Sequence, residues 1–167
     1  IDVLCNGESN GMAITNPTGG NPPYTYLWND PMAQTTDTAS GLAAGSYCVL
    51  LTDSLGCANA ACITITEPAI LSVSPDSNDV SCFSLCDGEA TAVVAGGTTP
   101  YSFFWNDASN QTVNPATGLC IGLYSVTITD SSGCIDSTKV NIDQPALLTF
   151  TTDSIDANCK NSCDGQA

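Results

Sequence analysis

The aromatic run YTYLWND at 24–30 returns as YSFFWND at 101–107, a spacing of 77 residues that constrains the chain more than any other feature. A fixed period has to be read before anything else, because it decides whether one core or several must be built. Sliding the sequence by 77 also superposes Gly19-Gly20 on Gly96-Gly97, Pro23 on Pro100, Gly45 and Tyr47 on Gly122 and Tyr124, and TDSLGC on TDSSGC, with no insertion. Of the residues at 1–68, 27 are identical to those at 78–145, as are 10 of the 22 at 69–90 against 146–167. The period exceeds that of a solenoid repeat and suits a small independent domain. The expected organisation is a β-sandwich repeat at 1–68 lacking its opening strand, a second repeat at 69–145, and the opening segment of a third at 146–167.

Period-two patterning sets the fold class. In YSVTITD (124–130), Tyr124, Val126 and Ile128 alternate with polar neighbours, as one buried and one wet face require. STKVNID (137–143) alternates likewise, with Val140 and Ile142 inward, and the intervening DSSGC supplies turn residues, so the two form a hairpin. Further strands are expected at 70–74, 89–94, 101–105 and around 111–114, with equivalents one period away. Short strands, regular turns and one Trp per unit predict an all-β chain of tandem immunoglobulin-like sandwiches. Trp28 and Trp105, with Tyr47 and Tyr124, are the expected core aromatics. Carbohydrate stacking on the two tryptophans is the alternative.

Ten cysteines, no histidine, two lysines and 17 acidic residues, giving a formal charge of −15, describe an extracellular β-protein better than a cytosolic enzyme. That charge disfavours nucleic acid and anionic membrane, and no apolar run is long enough to insert in a bilayer. With no initiating Met or signal peptide, the chain is expected to be a stretch of a longer secreted protein.

Read against the repeat, Cys5, Cys82 and Cys159 are equivalent, as are Cys57 and Cys134. Each complete unit adds two more, Cys48 and Cys62 in the first and Cys86 and Cys120 in the second. Four cysteines admit three pairings. The expected set is Cys5 to Cys57, Cys48 to Cys62, Cys82 to Cys134 and Cys86 to Cys120, leaving Cys159 and Cys163 for partners in the third unit. A lone C-x3-C spacing without histidine fits no zinc site.

The succession Cys82, Asp87-Gly88, Gly96-Gly97, Pro100-Tyr101, Trp105, Gly118-Leu119, Gly122, Tyr124, Val126, Thr129-Asp130, Gly133-Cys134 and Pro145 resembles the SprB-type repeat of cell-surface adhesins in gliding Bacteroidota. The first unit follows the same pattern, with Asn10-Gly11 where the pattern has Asp-Gly. A looser likeness to PKD-type domains lacks their Asp-rich signature after Trp. The resemblance implies a long repetitive surface protein, exported by type IX secretion and serving adhesion, gliding motility or filament formation, with no catalytic residues to carry over.

The residues themselves argue against an enzyme. Asp53 and Asp130, the best repeated candidates for a general base, open the TDSxGC turns, where they are expected to accept backbone N–H bonds. No cofactor is expected. Calcium is the ligand that Glu67, Asp76, Asp79, Asp143, Asp153 and Asp156 could take near the joints. Thr38, Ser54, Ser137 and Ser154 lie in D-S/T motifs resembling Bacteroidota O-glycosylation sites, and Asn110 opens an N-glycosylation sequon, which would make the chain a glycoprotein. Expected partners are neighbouring repeats, further copies assembling into a fibre or filament, and surface glycans. The leading functional expectation is a spacer or stalk unit of an adhesin; the alternative is a glycan- or protein-binding module.

Overall fold

The computed structural model describes residues 1–154, and the cysteines at 159 and 163, Asp156 and most of the expected third-unit segment lie outside the described residues. The described residues form strands and no helix. The first unit holds β1 (Gly11–Ile14), β2 (Thr25–Trp28), β3 (Thr38–Leu42), β4 (Gly45–Thr52) and β5 (Ala58–Ile65). The second holds β6 (Ser72–Asn78), β7 (Gly88–Ala95), β8 (Ser102–Trp105), β9 (Ala116–Leu119), β10 (Gly122–Thr129) and β11 (Ile135–Ile142).

In the second unit one antiparallel sheet runs β6-β7-β9 and the other β8-β10-β11. In chain order these are first, second and fourth strands against third, fifth and sixth, the split that defines immunoglobulin-like sandwiches. The first unit repeats it with β1-β3 against β2-β4-β5. Alternation puts Val126, Ile128, Val140 and Ile142 between the sheets with Trp105, Ala90, Ala92 and Leu119. Trp28, Val49, Ile65, Leu42 and Ala39 form the corresponding cluster of the first unit. Each of the Val, Leu and Ile side chains contributes roughly 1.5–3 kcal/mol by leaving water and the alanines less, so a unit this small depends on its Trp.

The expected strand around 111–114 is instead a loop, and the strand lies at β9. The reason is Asp107, whose buried carboxylate accepts N–H bonds from Ser109 (2.9 Å) and Gln111 (2.8 Å) and draws the chain into a turn. Gln111 then exchanges both amide groups with the backbone of Thr117, and the chain becomes free to pair only beyond Pro115.

Candidate functional site: the junction between repeats

The Trp-Asn-Asp motif braces each unit. Trp28 Nε1 donates to Thr36 O (2.9 Å) and Trp105 Nε1 to Val113 O (3.0 Å), so each buried indole also ties down the following loop. Asn29 Oδ1 accepts Cys48 N and Asn106 Oδ1 accepts Ser125 N, both at 2.7 Å, fastening β2 to β4 and β8 to β10. Asp30, buried like Asp107, accepts N–H bonds from Met32 and Gln34. In the sequence, the recurrence of Asn-Asp with a Gln four residues after the Asp (34 and 111) is the signal for this buried cap. Tyr47 and Tyr124 pack against the cores, and their hydroxyls donate to Ala43 O (3.2 Å) and Cys120 O (3.1 Å), four residues upstream. This is the tyrosine corner of immunoglobulin-like domains, at the start of β4 and of β10.

The poles of each unit are built differently. At one pole the turn at 5–8 is held against the exit of its own unit by Asn6 Nδ2 on Pro68 O (3.0 Å) and Gly7 N on Glu67 Oε2 (2.7 Å). At the opposite pole are the TDSxGC turns. Asp53 Oδ1 accepts Leu55 N and Cys57 N, both at 2.9 Å, while Oδ2 accepts Asn21 N. Asp130 does the same with Ser132, Cys134 and Thr98. The Cys57 N–H bond leads the set that lowers the Asp53 carboxyl below its ordinary value. At Asp130 burial opposes ionisation, but the N–H bonds from Thr98, Cys134 and Ser132 outweigh it and the net direction is again down. Both oxygens of these carboxylates are thus engaged in turns.

The junction brings one pole of each kind together. Cys5 of the first unit is disulfide-bonded to Cys134 in the β10–β11 turn of the second, with Cα atoms 5.7 Å apart. A cleft of about 310 Å³ beside it is lined by Cys5, Asn6, Glu8, Ile70, Leu71 and Ile135, among others. This corrects the expected pairs Cys5 to Cys57 and Cys82 to Cys134. The β4–β5 register runs from Gly45↔Ile65 beside the Cys5 turn to Thr52↔Ala58 beside Cys57. Eight residues of strand, roughly 25 Å, separate the two cysteines, far beyond the reach of a disulfide. Cys57 and Cys82 are instead exposed free thiols. Cys48 is bonded to Cys62, its direct partner across β4–β5, and Cys86 to Cys120 beside the β7–β9 pair.

The carboxylates considered for calcium are not gathered into a site. Glu67 binds Gly7 N, Asp76 Oδ1 accepts Ser77 N, Asp79 Oδ1 accepts Asp143 N, and Asp143 Oδ1 accepts Asn141 Nδ2. Among the described residues no group of three or more acidic, Cys or His side chains is placed to hold a metal ion. Asp153 lies beyond β11 in an exposed stretch. Of the glycosylation candidates, Ser54, Asn110, Ser137 and Ser154 are exposed and Thr38 is half-buried. No helix among the described residues is long and apolar enough to cross a membrane.

The SprB repeat family model matches residues 2–33 and 74–110, one stretch in each of the two immunoglobulin-like units. Nothing among curated proteins matches. Among solved structures, an amphioxus IgVJ-C2 molecule is similar at 12% identity and a TM-score of 0.39 over 83% of this chain and 99% of that one. A structure titled for the basis of Dscam isoform specificity is similar at 12% identity and a TM-score of 0.39, over 87% of this chain and 43% of that one. The N-terminal eight immunoglobulin domains of a Down syndrome cell adhesion molecule isoform match at 14% identity, a TM-score of 0.39, and 83% and 21% of the two chains. Strand order and the tyrosine corner, not these distant likenesses, carry the immunoglobulin-like assignment.

Proposed function

We propose that these units are stiff structural spacers in a long extracellular adhesin or filament, carried to the cell surface by type IX secretion as the SprB resemblance implies. The observation that supports this best is the Cys5 to Cys134 bond. The two units are then connected twice, once through the chain at 66–71 and once through sulfur, and a second covalent attachment restricts motion at the joint. The joint itself offers little slack, since Pro68 is followed within four residues by the start of β6. The intra-sheet bonds Cys48 to Cys62 and Cys86 to Cys120 are consistent with a fibre that must survive outside the cell. We assign no catalytic role and no cofactor. Small-angle scattering on the full chain tests the reading: one narrow distribution of inter-unit distance is expected in oxidised protein, broadening on reduction. A broad distribution before reduction would refute stiff spacers and favour independent binding modules.

A further inference from the structure

Asparagine followed by glycine readily loses its side-chain amide, because glycine has no Cβ to keep the next backbone nitrogen from closing on the Asn Cγ. The described residues hold two such dipeptides, Asn6-Gly7 and Asn10-Gly11, and their surroundings differ. Gly11 is buried at the start of β1, where a Cβ would lie 2.7 Å from Leu42 O. Asn10 is held at both ends of its amide, with Oδ1 accepting Leu4 N (3.0 Å) and Nδ2 donating to Glu8 Oε2 (2.7 Å). Asn6 and Gly7 are both exposed in the turn after Cys5, and a Cβ built on Gly7 has nothing within 4 Å.

The Gly7 N–H carries the proton that must leave if this nitrogen is to attack, and a carboxylate already holds it: Glu67 Oε2 accepts it at 2.7 Å. The departing amide is placed as well, with Asn6 Nδ2 donating to Pro68 O at 3.0 Å. The second unit keeps the scaffold and lacks the chemistry. There the turn reads Phe83-Ser84, and Ser84 takes the same left-handed backbone, φ 61° against 80° at Gly7. Its N–H is accepted at 3.0 Å by Oε1 of Gln144, one period after Glu67. A neutral amide therefore satisfies this turn. Asn, Gly and Glu at 6, 7 and 67 exceed what the turn requires, and each is a group that cyclisation uses.

We propose that Asn6-Gly7 is a self-modification site at the junction between the units, with Glu67 as its general base. Asn6 is exposed, so its side chain is free to leave Pro68 and bring Cγ over the Gly7 nitrogen. Glu67 takes the Gly7 proton as that nitrogen bonds to Cγ; the Cγ–Nδ2 bond then breaks, and the proton passes from Glu67 to the departing nitrogen, which leaves as ammonia. The product is a cyclic imide. Water opens it at either carbonyl to give aspartate or isoaspartate at position 6, so an amide and a water become an acid and an ammonia. Either product puts a carboxylate beside Glu67 in place of the donor to Pro68 O, next to disulfide-bonded Cys5, and isoaspartate also lengthens the main chain there. The inference goes beyond the spacer reading and does not depend on it: the joint changes with age and without an enzyme.

Peptide mapping of the full oxidised chain during incubation at neutral pH tests this. Aspartate and isoaspartate are expected to accumulate at Asn6 while Asn10 keeps its amide. Glu67→Gln leaves an acceptor for the Gly7 N–H, as Gln144 does in the second unit, and should slow the conversion by at least about tenfold. Gly7→Ser, which places at the turn the residue type of Ser84, should slow it too. Circular dichroism and recovery of the Cys5 to Cys134 peptide check that each variant is folded with its junction intact. An Asn6 that stays an amide, an Asn10 that converts as fast, or a folded variant of either kind that converts at the parent rate overturns the proposal. The comparison of Asn6 with Asn10 is made in the parent chain, so it decides the matter even where a variant does not fold. None of these outcomes bears on the spacer reading, which scattering tests separately.

Discussion

Cys5 and Cys134 are 129 residues apart in sequence and covalently joined across the boundary between two separate cores. A protease site inserted between Pro68 and Ala69 should therefore cut the chain without parting it. The cleaved protein is expected to run as one species on non-reducing gels and as two after reduction; two species without reductant would show the bond to be absent.

Removing the core tryptophans should act on one unit at a time. Trp105→Ala is expected to lower the stability of the second unit by about 3–5 kcal/mol, and Trp28→Ala should act on the first alone, because each indole packs in its own cluster. Calorimetry resolving two transitions checks this, and a shift of both transitions by either variant would contradict it.

Glycine replacements should expose the difference between the two units. Gly19 and Gly96 both have positive φ, 76° and 70°, so alanine costs roughly 1–2 kcal/mol at either on backbone grounds. Only Gly96 lies against the Ile70 backbone. Gly96→Ala should consequently cost on the order of 3 kcal/mol or more, and Gly19→Ala no more than the backbone term. Equal losses in urea titrations would mean that the first-unit position is also covered.

The capped carboxylates set the acid limit. The Gln34 side chain leads the bonds that lower Asp30, the Cys57 N–H those that lower Asp53, and Asp107 and Asp130 are lowered despite burial by the turn N–H groups of Gln111 and Thr98. Depressed folded values stabilise the fold above the ordinary 3.8, and that contribution is lost as pH falls through the folded values. Urea midpoints should hence be flat from neutrality to about pH 5 and drop steeply below 3.8. In Asp130→Asn the neutral plateau should be lower and the acid drop shallower; a parallel curve would exclude Asp130 as a source.

Much of this was legible in sequence. Alternation in YSVTITD and STKVNID marks β10 and β11, and Trp28 and Trp105 sit in the cores where strand spacing puts them. Asp53 and Asp130 cap their turns because Gly-Cys downstream bends the N–H groups back toward them. The partner of Cys5 was not legible, because periodicity reports equivalence and says nothing of which pole a residue occupies. The Cys5 and Cys57 positions are both filled in the first two units, yet a full strand length divides them. Nor does alternation reveal that Asp107 and Gln111 hold the ten residues at 106–115 in a loop before β9 begins.

Tension applied along such a fibre would not follow the peptide chain. Entering near Ile1, it meets Cys5 and crosses to Cys134, a sequence separation of 129, so the residues between them are excluded from the load path. Those residues, pulled straight, would otherwise release roughly 430 Å of slack. The sulfur bridge takes β1 to β10 out of the load path and leaves β11, with Val140 and Ile142 of the second core, and Val3 of the first core in it.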